Sequence, residues 1–176
     1  MSNRTKLKPK AAAPKIKLDL SYGDLPPGHP FSRPDKFDVC KTPFPLADGS
    51  VEEAYSAFLL QRIPAKLRGV WMDELWRVLV PGGKATVIVP YWTSARSVQD
   101  PFAEWPPLNE QSFLYFNRKF REDNKLPYGM ACDFDFVYGY TLEQETTLRT
   151  DDTRPFWIKH YVNAINDLQV VLTKRL

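Results

Sequence analysis

Two histidines and two cysteines are all that this chain has of the side chains most often found binding metals or attacking substrates. His29, Cys40, Cys132 and His160 lie far apart, with no spacing that resembles a zinc site. Two cysteines are too few for a disulfide framework, and both thiols are expected as small buried side chains. No stretch approaches the roughly 20 apolar residues that span a bilayer. The N-terminus carries charge where a signal peptide needs an apolar segment, so no membrane and a cytoplasmic location are expected. No repeat is present, and the absence of G-x-G-x-x-G removes the usual signature of a dinucleotide site.

What remains is ample for one core: 176 residues, 43% hydrophobic and 14% aromatic. The net charge of +3 is misleading, because Arg4, Lys6, Lys8, Lys10, Lys15 and Lys17 all precede the first acid, Asp19. Without those six, 18 basic residues face 21 acidic ones, a body of −3. Residues 1–15, with three alanines and two prolines, read as a disordered basic tail that favours solubility over phosphate binding, and residues 16–176 as the domain. The body shows no basic patch interleaved with aromatics, which disfavours nucleic acid as a partner.

The run from Glu74 to Tyr91 reads as helix, turn and buried strand. Leu75, Val78 and Leu79 have helical spacing, Pro81 ends the helix, and Gly82-Gly83 permits a tight reversal into Ala85–Val89. An apolar run bounded by turn residues suits a strand covered on both faces, hence an α/β sheet.

Together with Phe44-Pro45-Leu46-Ala47-Asp48-Gly49-Ser50-Val51 and Leu60-Gln61-Arg62-Ile63-Pro64, this run resembles the second half of class I S-adenosylmethionine-dependent methyltransferases. There a "fP..d.s.D.v.s...leHip" segment precedes a helix ending "R.LkPGG" and then the fifth strand. The likeness continues through Gln99-Asp100-Pro101, Ser112-Phe113-Leu114-Tyr115-Phe116 and Cys132-Asp133-Phe134-Asp135-Phe136 to Asp167–Lys174, covering roughly residues 16–176. It implies a Rossmann-like class I methyltransferase sheet, reduced at the side of its first three strands, with a C-terminal antiparallel strand pair.

The N-terminal third departs from that pattern. Ile16–Leu20 fits a first strand, and Ser21-Tyr22-Gly23 stands where the family has "lDlGcG", a turn whose glycines let backbone approach the cofactor. Only 13 residues then separate Gly23 from Phe37, and Pro26, Pro27, Pro30 and Pro34 deny them a helix. The family's first helix and second strand are expected to be absent or vestigial. Phe37–Cys40 is expected as a strand remnant beside the first strand, reached by an extended crossover of at most about 47 Å. The vacated sheet face then needs the tail, a partner subunit, or Phe31 and Phe37 to cover it. Asp35 is the nearest substitute for the ribose-binding acid. The family's "H.LEH" is here Phe58-Leu59-Leu60-Gln61-Arg62, and its "qDPtH" is Gln99-Asp100-Pro101-Phe102-Ala103, so the histidines are gone.

The resemblance implies cofactor contacts from Asp19, Gly23, Ser56, Ala57 and Phe58, with Tyr91, Trp92 and Arg96 near the methyl acceptor. Further on, Glu110–Phe120 has the spacing of a helix with an aromatic core stripe. Residues 132–140 alternate as a strand, Trp157–Ala164 suits a helix or an extended lead-in, and Asp167–Lys174 is the last strand. Two functions follow: an S-adenosylmethionine-dependent methyltransferase of unknown acceptor, or a methyltransferase-like interaction or scaffold protein that has lost the cofactor. The missing first helix points to a homodimer or another protein partner at the first-strand side.

Overall fold

The computed structural model describes residues 16–176, so the N-terminal tail reading lies outside the described residues. One five-stranded sheet organises them: β1 (Ile16–Asp19), β2 (Val51–Ala57), β3 (Leu79–Pro90), β4 (Phe134–Leu142) and β5 (Ile165–Lys174), in the order β1-β2-β3-β5-β4. β1, β2 and β3 run parallel, and β5 lies antiparallel between β3 and β4. The sheet is reduced on the first-strand side and ends in an antiparallel pair, as the sequence predicts.

Helix α1 (Arg68–Val78) joins β2 to β3. Its buried Trp71, Met72, Leu75 and Val78 share one face and form a single core with Ala85, Val87 and Val89 of β3 and Leu168, Val170 and Leu172 of β5. The helix stops at Val78 and the chain is already extended at Leu79. Pro81-Gly82-Gly83 is therefore a bulge within β3 and not the reversal itself: Val51 pairs with Leu79 and Glu53 with Lys84, so Val80–Gly83 lie opposite Glu52 alone.

The long crossover from β1 to β2 contains no helix, in keeping with its prolines. Its sheet contact is Ser32, not residues 37–40: Ser32 bridges Leu18, its N–H donating to Lys17 O and its carbonyl accepting from Asp19 N–H. Phe37 and Val39 turn instead toward α1, where Trp71 Nε1 donates to Val39 O at 2.9 Å and Phe37, Phe44 and Trp71 stack edge to face. Phe31 alone of the two expected aromatics covers the other sheet face, against Tyr55 and His29.

Of the cysteines, Cys132 is buried and its thiol pushed up to about 12, by burial first and by Asp73. Cys40 is exposed, because the strand expected around it does not form. The expected helix over 110–120 splits at Asn117, whose side chain caps α3 (Arg118–Asp123) after a 3-10 turn over Glu110–Phe116. Short helices α2 (Arg96–Gln99), α4 (Gln144–Thr147) and α5 (Arg154–His160) complete the described chain. Among the described residues no helix is long and apolar enough to cross a membrane, and no His/Cys/Asp/Glu cluster suits a metal ion.

Candidate functional site

Parallel strands deliver their carboxyl ends, and the loops that leave them, to one edge of the sheet. Tyr22, Phe58 and Pro90, just past β1 and β2 and at the end of β3, meet there around a cavity of about 360 Å³. Gln61, Arg62, Arg96, Gln99 and Asp100 complete its lining.

Phe58 holds this edge in an unusual conformation. Its φ of 56° lies in the left-handed region, which costs an L-residue roughly 1–2 kcal/mol. Its N–H donates to Ile88 O, and buried Gln61 donates from Nε2 to Phe58 O at 2.9 Å. Two guanidiniums flank the cavity. Arg62 lies 3.6 Å over the Tyr22 ring and pairs with Asp100 at 2.6 Å. Arg96 stands 5.3 Å over Phe58 and pairs with Asp167 at 2.7 Å. Burial pushes the Asp167 carboxyl above the ordinary carboxylate range, against the opposing pull of Arg96.

At the first turn, Gly23 adopts a φ of 83°, which accounts for glycine there. Asp19 is buried, accepts from Ser21 N–H at 2.8 Å, and is paired with Arg33. Arg33 Nη2 donates to Asp19 Oδ2 at 2.8 Å, Ser21 O at 2.6 Å and Gly23 O at 3.1 Å.

The eight residues implicated by the sequence therefore separate into groups. Asp19 and Gly23 meet through Arg33, while Phe58 and Arg96 border the cavity. Ser56 and Ala57 tie β1 to β2: the Ser56 hydroxyl donates to Leu20 O, and Ala57 N–H donates to the Ser21 hydroxyl. Tyr91 is buried against Tyr140, its phenol pushed up by burial, and half-exposed Trp92 packs on Tyr91; neither lines the cavity. Asp35 is exposed in a turn away from it. Arg33, Arg62, Asp100 and Asp167 escaped attention as site groups, and Gln61 and Arg62 are not the plain surface residues their types suggest. One signal for Arg33 was available: it is the first basic residue after Asp19, a strand-end acid in need of a cation.

No protein-family model and no curated protein sequence matches the chain. Solved structures do match. An S-adenosylmethionine-dependent methyltransferase from Archaeoglobus fulgidus aligns at a TM-score of 0.51 and 11% identity, over 73% of this chain and 62% of that one. The chain has a methyltransferase-like fold. A Haloferax volcanii protein described as a methyltransferase, in complex with the Trm112 methyltransferase activator, aligns at 0.45 and 17% identity over 76% and 58%. An S-adenosylmethionine-dependent methyltransferase from Mesorhizobium loti aligns at 0.38 and 12% identity over 73% and 64%. This chain spans less than two thirds of each of these proteins.

S-Adenosylmethionine at such an edge calls for a free glycine turn, a helix N-terminus behind it and an acid at the end of the next strand. Here the turn's oxygens are held by Arg33, no helix lies between Gly23 and β2, and among the described residues no strand runs beside β1 on its outer side past the single Ser32 bridge. The described residues do not fit the cofactor.

Proposed function

We propose that this chain is a methyltransferase-like interaction protein, which keeps the sheet of an S-adenosylmethionine-dependent methyltransferase but works by docking rather than by transferring methyl groups. The observation that carries this reading is the course of residues 33–49. They leave the sheet after Ser32 and are anchored on α1 through Val39 O and Trp71, so among the described residues none at the carboxyl edge is placed to take the ribose side of the cofactor. Cys40 and Cys132, neither in a disulfide, suit a reducing compartment such as the cytoplasm.

The docking face follows from strand register. On the side of the sheet away from α1, Lys17, Glu53, Lys84, Thr173 and Asp135 form one row across all five strands. The next row is Asp19, Tyr55, Thr86, Val171 and Val137. Residues 29–33 cover the β1–β2 half; the β5–β4 half carries a groove of about 320 Å³ lined by strand residues alone, with Val137 68% exposed. Two bases and two acids in the charged row let this face meet a two-fold copy of itself without net repulsion, so the partner is a second copy of the chain.

A second reading is an active methyltransferase. The strained Phe58 beside a cavity flanked by Arg62 and Arg96 favours it, since stored backbone strain concentrates at functional sites. In that reading Asp19, Gly23, Ser56, Ala57 and Phe58 contact the cofactor, and Tyr91, Trp92 and Arg96 the acceptor. Calorimetric titration with S-adenosylmethionine and S-adenosylhomocysteine separates the two. The docking reading expects no saturable heat, and tight binding by the wild-type chain would replace it with the enzyme reading.

A further inference from the structure

The three oxygens gathered at the glycine turn form a cation cradle. Asp19 Oδ2, Ser21 O and Gly23 O converge on one nitrogen, Arg33 Nη2, at 2.8, 2.6 and 3.1 Å. A guanidinium Nη carries two hydrogens, so it cannot satisfy all three acceptors at once, whereas a primary ammonium carries three N–H donors and can. Arg33 Nε finds no partner in this arrangement. Arginine at a carboxylate normally engages both arms of its fork in parallel bonds. Here a single nitrogen reaches in like a point charge, at a site whose acceptor count suits an ammonium.

We propose that Arg33 is the resident occupant of an ammonium-binding cradle, and that its guanidinium keeps an amino-acid-bearing nucleoside such as S-adenosylhomocysteine out of the Asp19–Gly23 turn. Arg33 is thus a specificity-determining residue, and the inference rests on the docking reading above, to which it assigns a cause at one side chain. The crossover supplies the means: Ser32 is fixed to β1 by two backbone hydrogen bonds, which sets the next residue beside the turn. Arg62, lying over Tyr22 and held by Asp100, flanks the same turn and does not reach the three oxygens.

The test is calorimetric titration of S-adenosylhomocysteine into the wild-type chain and into Arg33→Met, Arg33→Ala and Arg33→Lys, each first shown to be folded by circular dichroism. Arg33→Met keeps the apolar stem without the charge, and Arg33→Lys puts an ammonium of its own beside the cradle. The expected result is no saturable binding by the wild type or Arg33→Lys at about 1 mM ligand, and a gain of roughly tenfold or more for Arg33→Met and Arg33→Ala. Methylthioadenosine, which lacks the amino-acid ammonium, should show no such gain. Folded Met and Ala variants that bind no better than wild type overturn the inference and leave the docking reading standing. An equal gain for methylthioadenosine, or a gain in Arg33→Lys matching that of Arg33→Met, overturns it as well, because space and not the ammonium would then be the cause. Tight binding by the wild type overturns both.

Discussion

Arg77 and Glu74, one turn apart on α1, face each other through two parallel hydrogen bonds, Nε to Oε1 at 2.9 Å and Nη2 to Oε2 at 2.8 Å. The pair also clasps the loop before β2: Glu74 Oε2 accepts from Phe44 N–H at 2.7 Å, and Arg77 donates to Phe44 O and Leu46 O. A crossover without helix or strand lacks a ladder of its own, so the backbone polar groups of Phe44 and the Leu46 carbonyl are satisfied by these two side chains.

Glu74→Gln should therefore destabilise the chain by on the order of 2 kcal/mol at pH 7, the scale of hydrogen bonds to charged groups. The Arg77 hydrogen bond holds the Glu74 carboxyl below its usual range. A depressed folded value means that this stability is fully present above the unfolded value of about 4.5 and is lost as the pH falls through the folded one. The gap between wild type and variant, measured by urea unfolding, should close in acid. A gap of equal size at pH 3 would contradict this assignment.

Asp167 has the opposite sign. Burial raises its folded value despite Arg96, so its ionisation opposes folding: its contribution is fully present below the unfolded value and is lost as the pH rises through the folded one. Asp167→Asn should accordingly match or exceed the wild type in thermal stability at pH 7, with the advantage vanishing toward pH 4. A loss of more than about 1 kcal/mol at pH 7 would show that the Arg96 pair stabilises the fold.

The Pro-Gly-Gly bulge makes a sharper demand. A Cβ on Gly83 would stand 2.8 Å from Val80 O and 3.1 Å from Glu52 O, both backbone atoms that cannot step aside. Gly83→Ala should lower stability by roughly 2 kcal/mol in denaturant unfolding, within the range for overpacked sites. Wild-type stability in this variant would mean that the bulge relaxes freely.

The C-terminal two thirds of the fold was legible because local signals there agree with tertiary packing. Leu75 and Val78 pointed to a helix face that does join one core with β3 and β5, and Asp167–Lys174, read as the last strand, lies within β5 and pairs antiparallel with β3. The crossover was legible only in the negative. Its prolines excluded a helix but left open which residue would rejoin the sheet, and Ser32 rather than Phe37–Cys40 does so, because Trp71 draws Val39 to the other face. The site was the least legible part. Arg33, Arg62 and Asp167 owe their roles to long-range partners that no local period encodes, and Ser56, chosen for its place in a family pattern, is engaged by Leu20 O.

That crossover carries its own expectation. Over residues 24–36 the strand-like protection comes from Ser32 N–H on Lys17 O, with His29 N–H on Pro26 O as a single turn bond. Amide exchange should be fast through this segment except at Ser32, while β3 and β5 exchange slowly. Uniform protection across 24–36 would require a helix that the prolines forbid.

The docking face yields the last expectation, in which two valines of equal exposure give opposite answers. Val137 and Val98 are each 68% exposed, the first on β4 beside Val171 on the open face and the second on α2, outside that face. Neither supports the core, so substitution by lysine should change folding stability by no more than about 0.5 kcal/mol at either position. Val137→Lys, however, places a solvated cation against its own symmetry mate if two copies meet through this face. The wild type and Val98→Lys should scatter light as dimers at micromolar concentration, and Val137→Lys as a monomer. A dimer that survives Val137→Lys would move the interface elsewhere, and a wild-type monomer would remove the second copy as the partner.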